Sequence, residues 1–402
     1  MLPFAARDGD PDLDRLAVDI TGDLTSGLGR LPANFVIGAG VAAADRGPGV
    51  DVRRVGAELG VRYVVEGTLR RLGPVLRVDA RLLDAASGAQ LWVETLDHPH
   101  AAAAELPRTA ALRMASGLNY RLYELEGERT GLELPREPTA QDLILHARLL
   151  LNRASPRDGM EQARRMVEQA LAMDEGAAEA HALLAHVLVT LVTLVNDEWT
   201  EDIAGTLEAA DRHAARALAI DPRQVRGHYV RGMANQNRRR FDEAAAEYDL
   251  VIEAAPNFAV AYRRRGTVKI LTGRPAEGAA DVLEAIRISP RDAYVDRWYA
   301  SLGIAALMQG RDEEAVGHLV RARAANSNYP DHLFRLAAAY ALTGRRDDAR
   351  IVLDEFRRAR PDDTLAGRRR SVARASNDGL FLATWNRMHD AAASLGMPEG
   401  QD

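Results

Sequence analysis

Few residues in this chain have the types and spacing that chemistry needs. Asp79, Asp84, Glu94 and Asp97 fall on or near segments that alternate like strands, and carboxylates so placed could act as general acid and base. That work also needs a partner base or a phosphate-binding loop. Neither accompanies them, so a solvated sheet face is their expected role. His98 and His100 flank Pro99, while His181 and His186 stand five apart. Residues five apart do not share a helix face well, and a metal site needs more ligands than either pair offers. The chain has no cysteine, which excludes disulfides, thiolate zinc sites and cysteine nucleophiles. No Walker-type phosphate loop, helix-opening GxGxxG, nucleophile elbow or HExxH occurs. No catalytic, cofactor-binding or metal-ligating residue is therefore assigned, and the chain reads as a non-enzyme without a cofactor.

The strongest pattern is instead a spacing of helix ends. Pro222, Pro256 and Pro290 stand 34 residues apart (256 − 222 = 34; 290 − 256 = 34), closing ALAIDP, VIEAAP and AIRISP. A period of 34 is that of the tetratricopeptide repeat, a helix–turn–helix unit that stacks because one copy cannot bury its apolar face alone. In Val225–Phe258, Gly232, Ala244, Tyr248 and Pro256 take the small, aromatic and closing positions, with Ala244 expected to face Gly232. Ala259–Asp292 repeats the scheme with Gly266, Gly278, Val282, Ala285 and Pro290. A fifth unit uses Gly303, Ala315 and Ala322, and a sixth uses Ala337, Ala349 and Pro361. Gly310 and Gly344 suit the left-handed position that ends a first helix. Two degenerate units precede these. One lies at about 140–177, around Ala147, Ala163 and Ala170; the other at about 178–224, around Ala185, Ala210 and Ala217, with an insertion that includes NDEWTED. Six repeats exceed the three a stable stack needs. The amphipathic Gly379–Leu395 is expected to cap the last exposed face, and Arg368, Arg369 and Arg370 before it read as a solvated charge cluster.

Such an array offers a concave groove lined by the second, fifth, ninth and twelfth positions of each first helix. These are Arg226, Tyr229, Met233 and Gln236, then Val260, Arg263, Thr267 and Ile270, then Arg297, Ala300, Ile304 and Leu307, with Phe334 from the sixth repeat. Arginines beside a tyrosine and apolar residues suit an acidic or carboxylate-terminated peptide, because guanidinium pairs bidentately with carboxylate. The competing reading is that these arginines solvate the groove or pair with neighbouring acids.

Composition sets the outer bounds. The 402 residues are 47% apolar and 27% charged, with a net charge of −6 that gives no reason to expect nucleic-acid binding. The start, MLPFAARDGD, has no basic and apolar leader pattern, and the longest apolar run, Leu183–Val195, is too short to span a bilayer and reads as a buried helix. A cytoplasmic protein, with no membrane contact and with a homodimer allowed, is expected.

Residues 1–125 follow other rules. Asp10-Pro11 opens a helix carrying Leu13, Leu16, Ala17, Ile20 and Leu24; NFVIGA reads as a strand, and VRRVGAEL as a short helix ending at Gly60. VRYVVEGTL, VLRVDARLL and AQLWVETL follow as strands, the second alternating strictly, before a helix over about 105–126. The stretch LPFAARDGDPDLDRLAVDITGDLTSGLGRL with ELGVRYVVEGTLRRLGPVLRVDARLLDAASGAQLWVETLD resembles a bacterial regulatory module, similar in fold to the N-terminal domain of TolB. In its relatives this module precedes tetratricopeptide repeats and commonly follows a class III adenylate or guanylate cyclase domain or a winged-helix domain. Neither precedes Leu2 here, and the first strand is clipped. A stand-alone module, a split gene or a misplaced start is the expectation from that departure. The fold expected is mainly α: a tetratricopeptide-repeat α-solenoid preceded by a small α/β domain with a mixed sheet. Its parts are that domain at 1–126, a linker at 127–139, the array at 140–363, and a capping helix with tail at 364–402. The function expected is non-catalytic: a regulatory scaffold holding a protein partner in its groove. The alternatives are the C-terminal half of a cyclase system, or the effector half of a transcription regulator.

Overall fold

A computed structural model describes residues 1–7, 10–29, 51–129, 136–152, 157–193 and 202–400. The expected strand NFVIGA and most of the NDEWTED insertion lie outside the described residues. The chain forms two compact units. One comprises Met1–Glu133 with Ala255–Phe258; the other comprises Leu134–Ala254 and Ala259–Asp402.

In the first unit the strands are β1 (Ala5–Ala6), β2 (Tyr63–Leu72), β3 (Val75–Asp84) and β4 (Gln90–Pro99), in sheet order β1-β2-β3-β4. β1 runs parallel to β2 and the other pairs are antiparallel, so the sheet is mixed. Alternation fixes its register: Leu76, Val78, Ala80 and Leu82 of β3 are all fully buried. The helices are α1 (Pro11–Gly29), α2 (Val52–Leu59) and α3 (Leu106–Arg129). Asp10 caps α1 by accepting from the Asp12 N–H at 2.9 Å. Leu13, Ile20 and Leu24 of α1 join Met114 and Leu118 of α3 over one sheet face, where Val65 and Leu69 point. Val64, one residue before Val65, points the other way into a small cluster with Val55 of α2. Gly60, at φ 64°, ends α2 as expected. α3 runs three residues past the expected boundary, to Arg129.

The second unit is built of helix pairs: α4 (Ala140–Asn152) with α5 (Arg157–Met173), α6 (Ala178–Thr193) with α7 (Ile203–Ile220), and α8 (Val225–Asn237) with α9 (Phe241–Ala254). They continue with α10 (Ala259–Leu271) and α11 (Pro275–Ile288), α12 (Val295–Met308) and α13 (Asp312–Ala325), and α14 (Pro330–Leu342) and α15 (Arg346–Ala359). This is the tetratricopeptide-repeat fold. The small residues explain the pairing. A Cβ on Gly266 would lie 2.6 Å from the Gly278 carbonyl oxygen, and one on Gly278 equally close to that of Gly266, so this pair closes backbone to backbone. In the preceding repeat the nearest neighbour of Gly232 is not Ala244 but Tyr248, whose ring fills the gap. A Cβ on Gly232 would meet that ring at 2.5 Å. Gly232→Leu is therefore expected to cost about 1–3 kcal/mol by overpacking, and an unchanged melting midpoint would refute this contact. Gly310 and Gly344 take positive φ at first-helix ends, but the same place after α8 is held by Arg239 at φ 61°.

The C-terminal segment departs from expectation. Arg368, Arg369 and Arg370, expected as a solvated cluster, lie on a further helix, α16 (Leu365–Ala375), capped by Thr364, on which Arg370 is exposed but Arg368 is not. Arg368 on it is 12% exposed and binds Asp331 and Asp363 at 3.0 and 2.9 Å. α17 (Gly379–Ala393) follows and packs on the first helices α14 and α12, as well as on α16. The Ser376 hydroxyl donates to the Leu271 carbonyl at 2.5 Å, tying the α16–α17 turn to the end of α10.

Candidate peptide-binding face

The carboxylates of the sheet are all engaged. Asp97 takes a bidentate pair from Arg77 at 2.6 Å, and Asp79 accepts from the Thr95 hydroxyl at 2.6 Å with Arg70 at 3.5 Å. Asp84 receives the Ala86 and Ser87 N–H groups of its turn, and Glu94, 7% exposed, holds Arg113 at 2.6 Å. The His98 ring lies 2.9 Å from the Ala102 carbonyl, and His181 stacks on His213 with centroids 5.2 Å apart. Among the described residues no three His, Cys, Asp or Glu side chains gather as a metal site would require. No helix among them is long and apolar enough to cross a membrane.

The first helices of the repeats bring the predicted groove residues into two groups. In the first, Glu179 on α6 is the hub. It accepts from Arg148 at 2.6 Å and from the Gln224 side-chain amide at 2.5 Å, with the Arg226 Nε at 3.4 Å. Burial pushes its carboxyl up, but Arg226 and Arg148 prevail and hold it below the usual range. Arg226 also lies 3.0 Å from His186 Nδ1. Burial first, then the charges of Arg226 and Arg264, push that imidazole well below its usual range. A neutral His186 accepts at Nδ1, so its proton sits on Nε2. The Tyr229 ring meets His186 edge-on at 5.5 Å and is 4% exposed. Met233 is 1% exposed, and Gln236 is taken by the Tyr248 hydroxyl at 3.1 Å. These side chains hold the repeats together; Arg226 in particular is already paired.

The second group is differently disposed. Arg263 and Arg297 form no ion pair among the described residues, and the Nε of each is buried without a partner. Burial, then the nearby charge of Arg264, pulls the Arg263 guanidinium down to about 10. Arg297 lies over two rings, 4.9 Å from the Tyr294 centroid and 5.2 Å from Tyr329. Thr267 spends its hydroxyl proton on the Arg263 carbonyl at 3.0 Å. Ile270, Ala300, Ile304, Leu307 and Phe334 are all buried, in one cluster with Phe381, Trp385 and Met388 of α17. The C-terminal part of the expected groove is thus covered by the chain's own last helix.

Arg264, which hydrogen-bonds Tyr229, and Arg335, whose guanidinium lies 5.9 Å from the Trp385 ring, belong to the same face. Both stand at the sixth position of their first helix, one past the lining position used in sequence. Extending the pattern by that residue would have found them.

No protein-family model matches the chain. It is 34% identical over 248 residues, 61% of its length, to a protein of Rhizobium meliloti (strain 1021) named "Putative adenylate cyclase 3"; the match spans 41% of that protein. Among solved structures it is similar to Pseudomonas aeruginosa PilF, at 18% identity over 56% of this chain and 93% of that one, with a TM-score of 0.44. It is similar also to YrrB, a TPR protein with an unusual peptide-binding site, at 18% identity over 51% of this chain and 97% of that one, with a TM-score of 0.37. The chain has the tetratricopeptide-repeat fold, and over 61% of its length it is similar to the protein named "Putative adenylate cyclase 3".

Proposed function

We propose that this protein is a non-catalytic regulatory scaffold whose first-helix face binds an acidic segment of a protein partner. The observation that supports this best is the state of Arg263 and Arg297, half-buried cations with no carboxylate in ion-pair reach among the described residues. Arg264 and Arg335 add charge nearby, Arg335 with Asp331 beside it, while Glu179 is already committed to Arg148. A carboxylate-bearing peptide would supply the missing counter-charge with the fork geometry guanidinium prefers.

The test is selection of a C-terminally displayed random peptide library on the parent chain and on Arg263→Ala/Arg297→Ala. The parent should enrich sequences rich in Asp and Glu or ending in a free carboxylate. The double variant should bind the selected peptide at least about tenfold more weakly, with its helical signal intact. Binding by the parent should weaken with added salt. Enrichment of neutral or basic sequences, or equal binding by the double variant, would overturn the reading. Arg226 is left untouched because its removal would disturb Glu179.

A second reading, the regulatory half of a cyclase system, is favoured by the similarity to the Rhizobium meliloti protein. On either reading the purified chain should form no cyclic nucleotide from ATP or GTP with magnesium or manganese. Such chemistry needs placed carboxylates and a phosphate clamp, whereas the sheet carboxylates here are spent on arginines and turn amides. Metal-dependent product above a buffer control would defeat the non-catalytic assignment.

A further inference from the structure

A pocket of about 220 Å³ lies between α10, α12, α14 and α17. It shares Arg297 with the reading above but stands on an observation of its own, since α17 forms one wall and carries the unpartnered Trp385 Nε1. Its apolar lining includes Ile270, Ala300, Ile304 and Phe381, and its polar lining includes Arg297, Arg335 and Trp385. No Asp or Glu lines it.

The spare hydrogen-bonding capacity there is of one kind. Trp385 is 8% exposed and its Nε1 is buried with no partner. Indole N–H can only donate, and an unmet buried donor is costly. The Thr267 and Ser301 hydroxyls also line the pocket but already donate to the Arg263 and Arg297 carbonyls, each at 3.0 Å. Arg297 lies over Tyr294 and Tyr329 and Arg335 over Trp385, and neither is in a salt bridge among the described residues, although the charge of Arg335 acts on Asp331 outside the pocket lining. An aromatic face orients a guanidinium without neutralising it. Two lining rings, Tyr329 and Trp385, two cations and three unpartnered buried donors, the Arg297 and Arg335 Nε and the Trp385 Nε1, therefore surround an apolar cavity that no Asp or Glu lines.

We propose that this pocket binds a small anion with an apolar body: a carboxylate carried on an aromatic or branched aliphatic group. The carboxylate meets Arg297, Arg335 and the Trp385 N–H, and the apolar body lies against Ile270, Ala300, Ile304 and Phe381. The volume is below the range usual for drug-sized ligands, which sets the ligand's scale. Two sources share this chemistry, a free organic acid and the last residue of a peptide chain.

Calorimetric titration of the full chain with 3-phenylpropionate, and with 3-phenylpropanamide as its neutral match, tests the proposal. The acid should bind, and the amide should bind at least about tenfold more weakly. Arg335→Met should weaken the acid by a similar factor. In the protein labelled with ¹⁵N-tryptophan, one indole N–H resonance should move on adding the acid, and that resonance should be missing from Trp385→Phe. Glycyl-glycyl-phenylalanine, with a free or an amidated C-terminus, separates the sources: tighter binding than 3-phenylpropionate, lost on amidation, assigns a chain terminus, and the reverse order assigns a free acid. Absence of binding by both acids at millimolar concentration, equal binding of acid and amide, or an unmoved Trp385 resonance would overturn the proposal. The resonance reports on the parent protein, so the proposal stays testable even if Arg335→Met fails to fold.

Discussion

Arg368→Ala is expected to destabilise the repeat unit by about 3 kcal/mol, the low end of the range for removing one partner of a buried ion pair. The low end applies because Asp331 and Asp363 keep some access to water, with side chains 32% and 25% exposed. Arg368 does two jobs at once. Its Nη2 serves both carboxylates, and its guanidinium lies 4.1 Å from the Phe334 centroid and 4.7 Å from that of Phe356, both fully buried. Alanine would forfeit the ring contacts along with the charge. Asp331 supplies a pH signature. Burial pushes its carboxyl up, but Arg335 and Arg368 outweigh this and hold it below its usual value. A folded-state pKa depressed in this way contributes stability above the unfolded value, and that contribution is lost as pH falls through the folded value. The gap between parent and variant should therefore narrow on acidification. Urea unfolding at neutral and acid pH measures both effects. Equal neutral-pH midpoints would return Arg368 to the solvated cluster that the sequence suggests.

That residue shows where sequence reading stops. The repeat period was legible because close packing needs small residues at fixed positions, and Gly232, Gly266, Gly278 and Gly303 mark them in the chain. The meander was legible because one-sided burial imposes alternation on β3. α16 was not, since its burial rests on Leu365, Ala366 and the stem of an arginine, and an arginine run carries no apolar periodicity. The fifth repeat is displaced by three residues (303 − 266 = 37, against 266 − 232 = 34), a shift absorbed in the turn before α12. The lining positions located the face of each first helix but not its company. Glu179, which occupies Arg226, comes from the preceding repeat, and α17, which buries Ile270 and Ile304, comes from beyond the last one. An amphipathic pattern in α17 states that one side is buried, while its seat is a tertiary fact.

Removing residues 379–402 should cost the C-terminal repeats on the order of 5 kcal/mol or more, since single Phe or Trp truncations in a core already cost about 3–5. Phe381 and Trp385 are 6% and 8% exposed, and Met388 and Ala392 are fully buried. Their loss would also uncover Ala300, Ile304 and Phe334 on α12 and α14. Repeat stacks gain stability from nearest neighbours, so the damage should stay local. Amide hydrogen exchange should lose protection in α12 to α15 and keep it in α8 and α9, whose contacts lie with Tyr248, Val251 and the Glu179 hub. Unchanged protection in α14 would show that α17 contributes little where it lies. Loss of protection throughout the unit would show that the array unfolds as a single cooperative body. The local outcome has a functional consequence: Arg263 and Arg264 would remain on folded helix while the wall beside Arg297 and Arg335 is gone. Binding of a small acid beside Trp385 should then be lost, while binding of an acidic peptide, which would use Arg263 as well as Arg297, should be weakened but not abolished, which makes Arg297 the overlap of the two proposed sites.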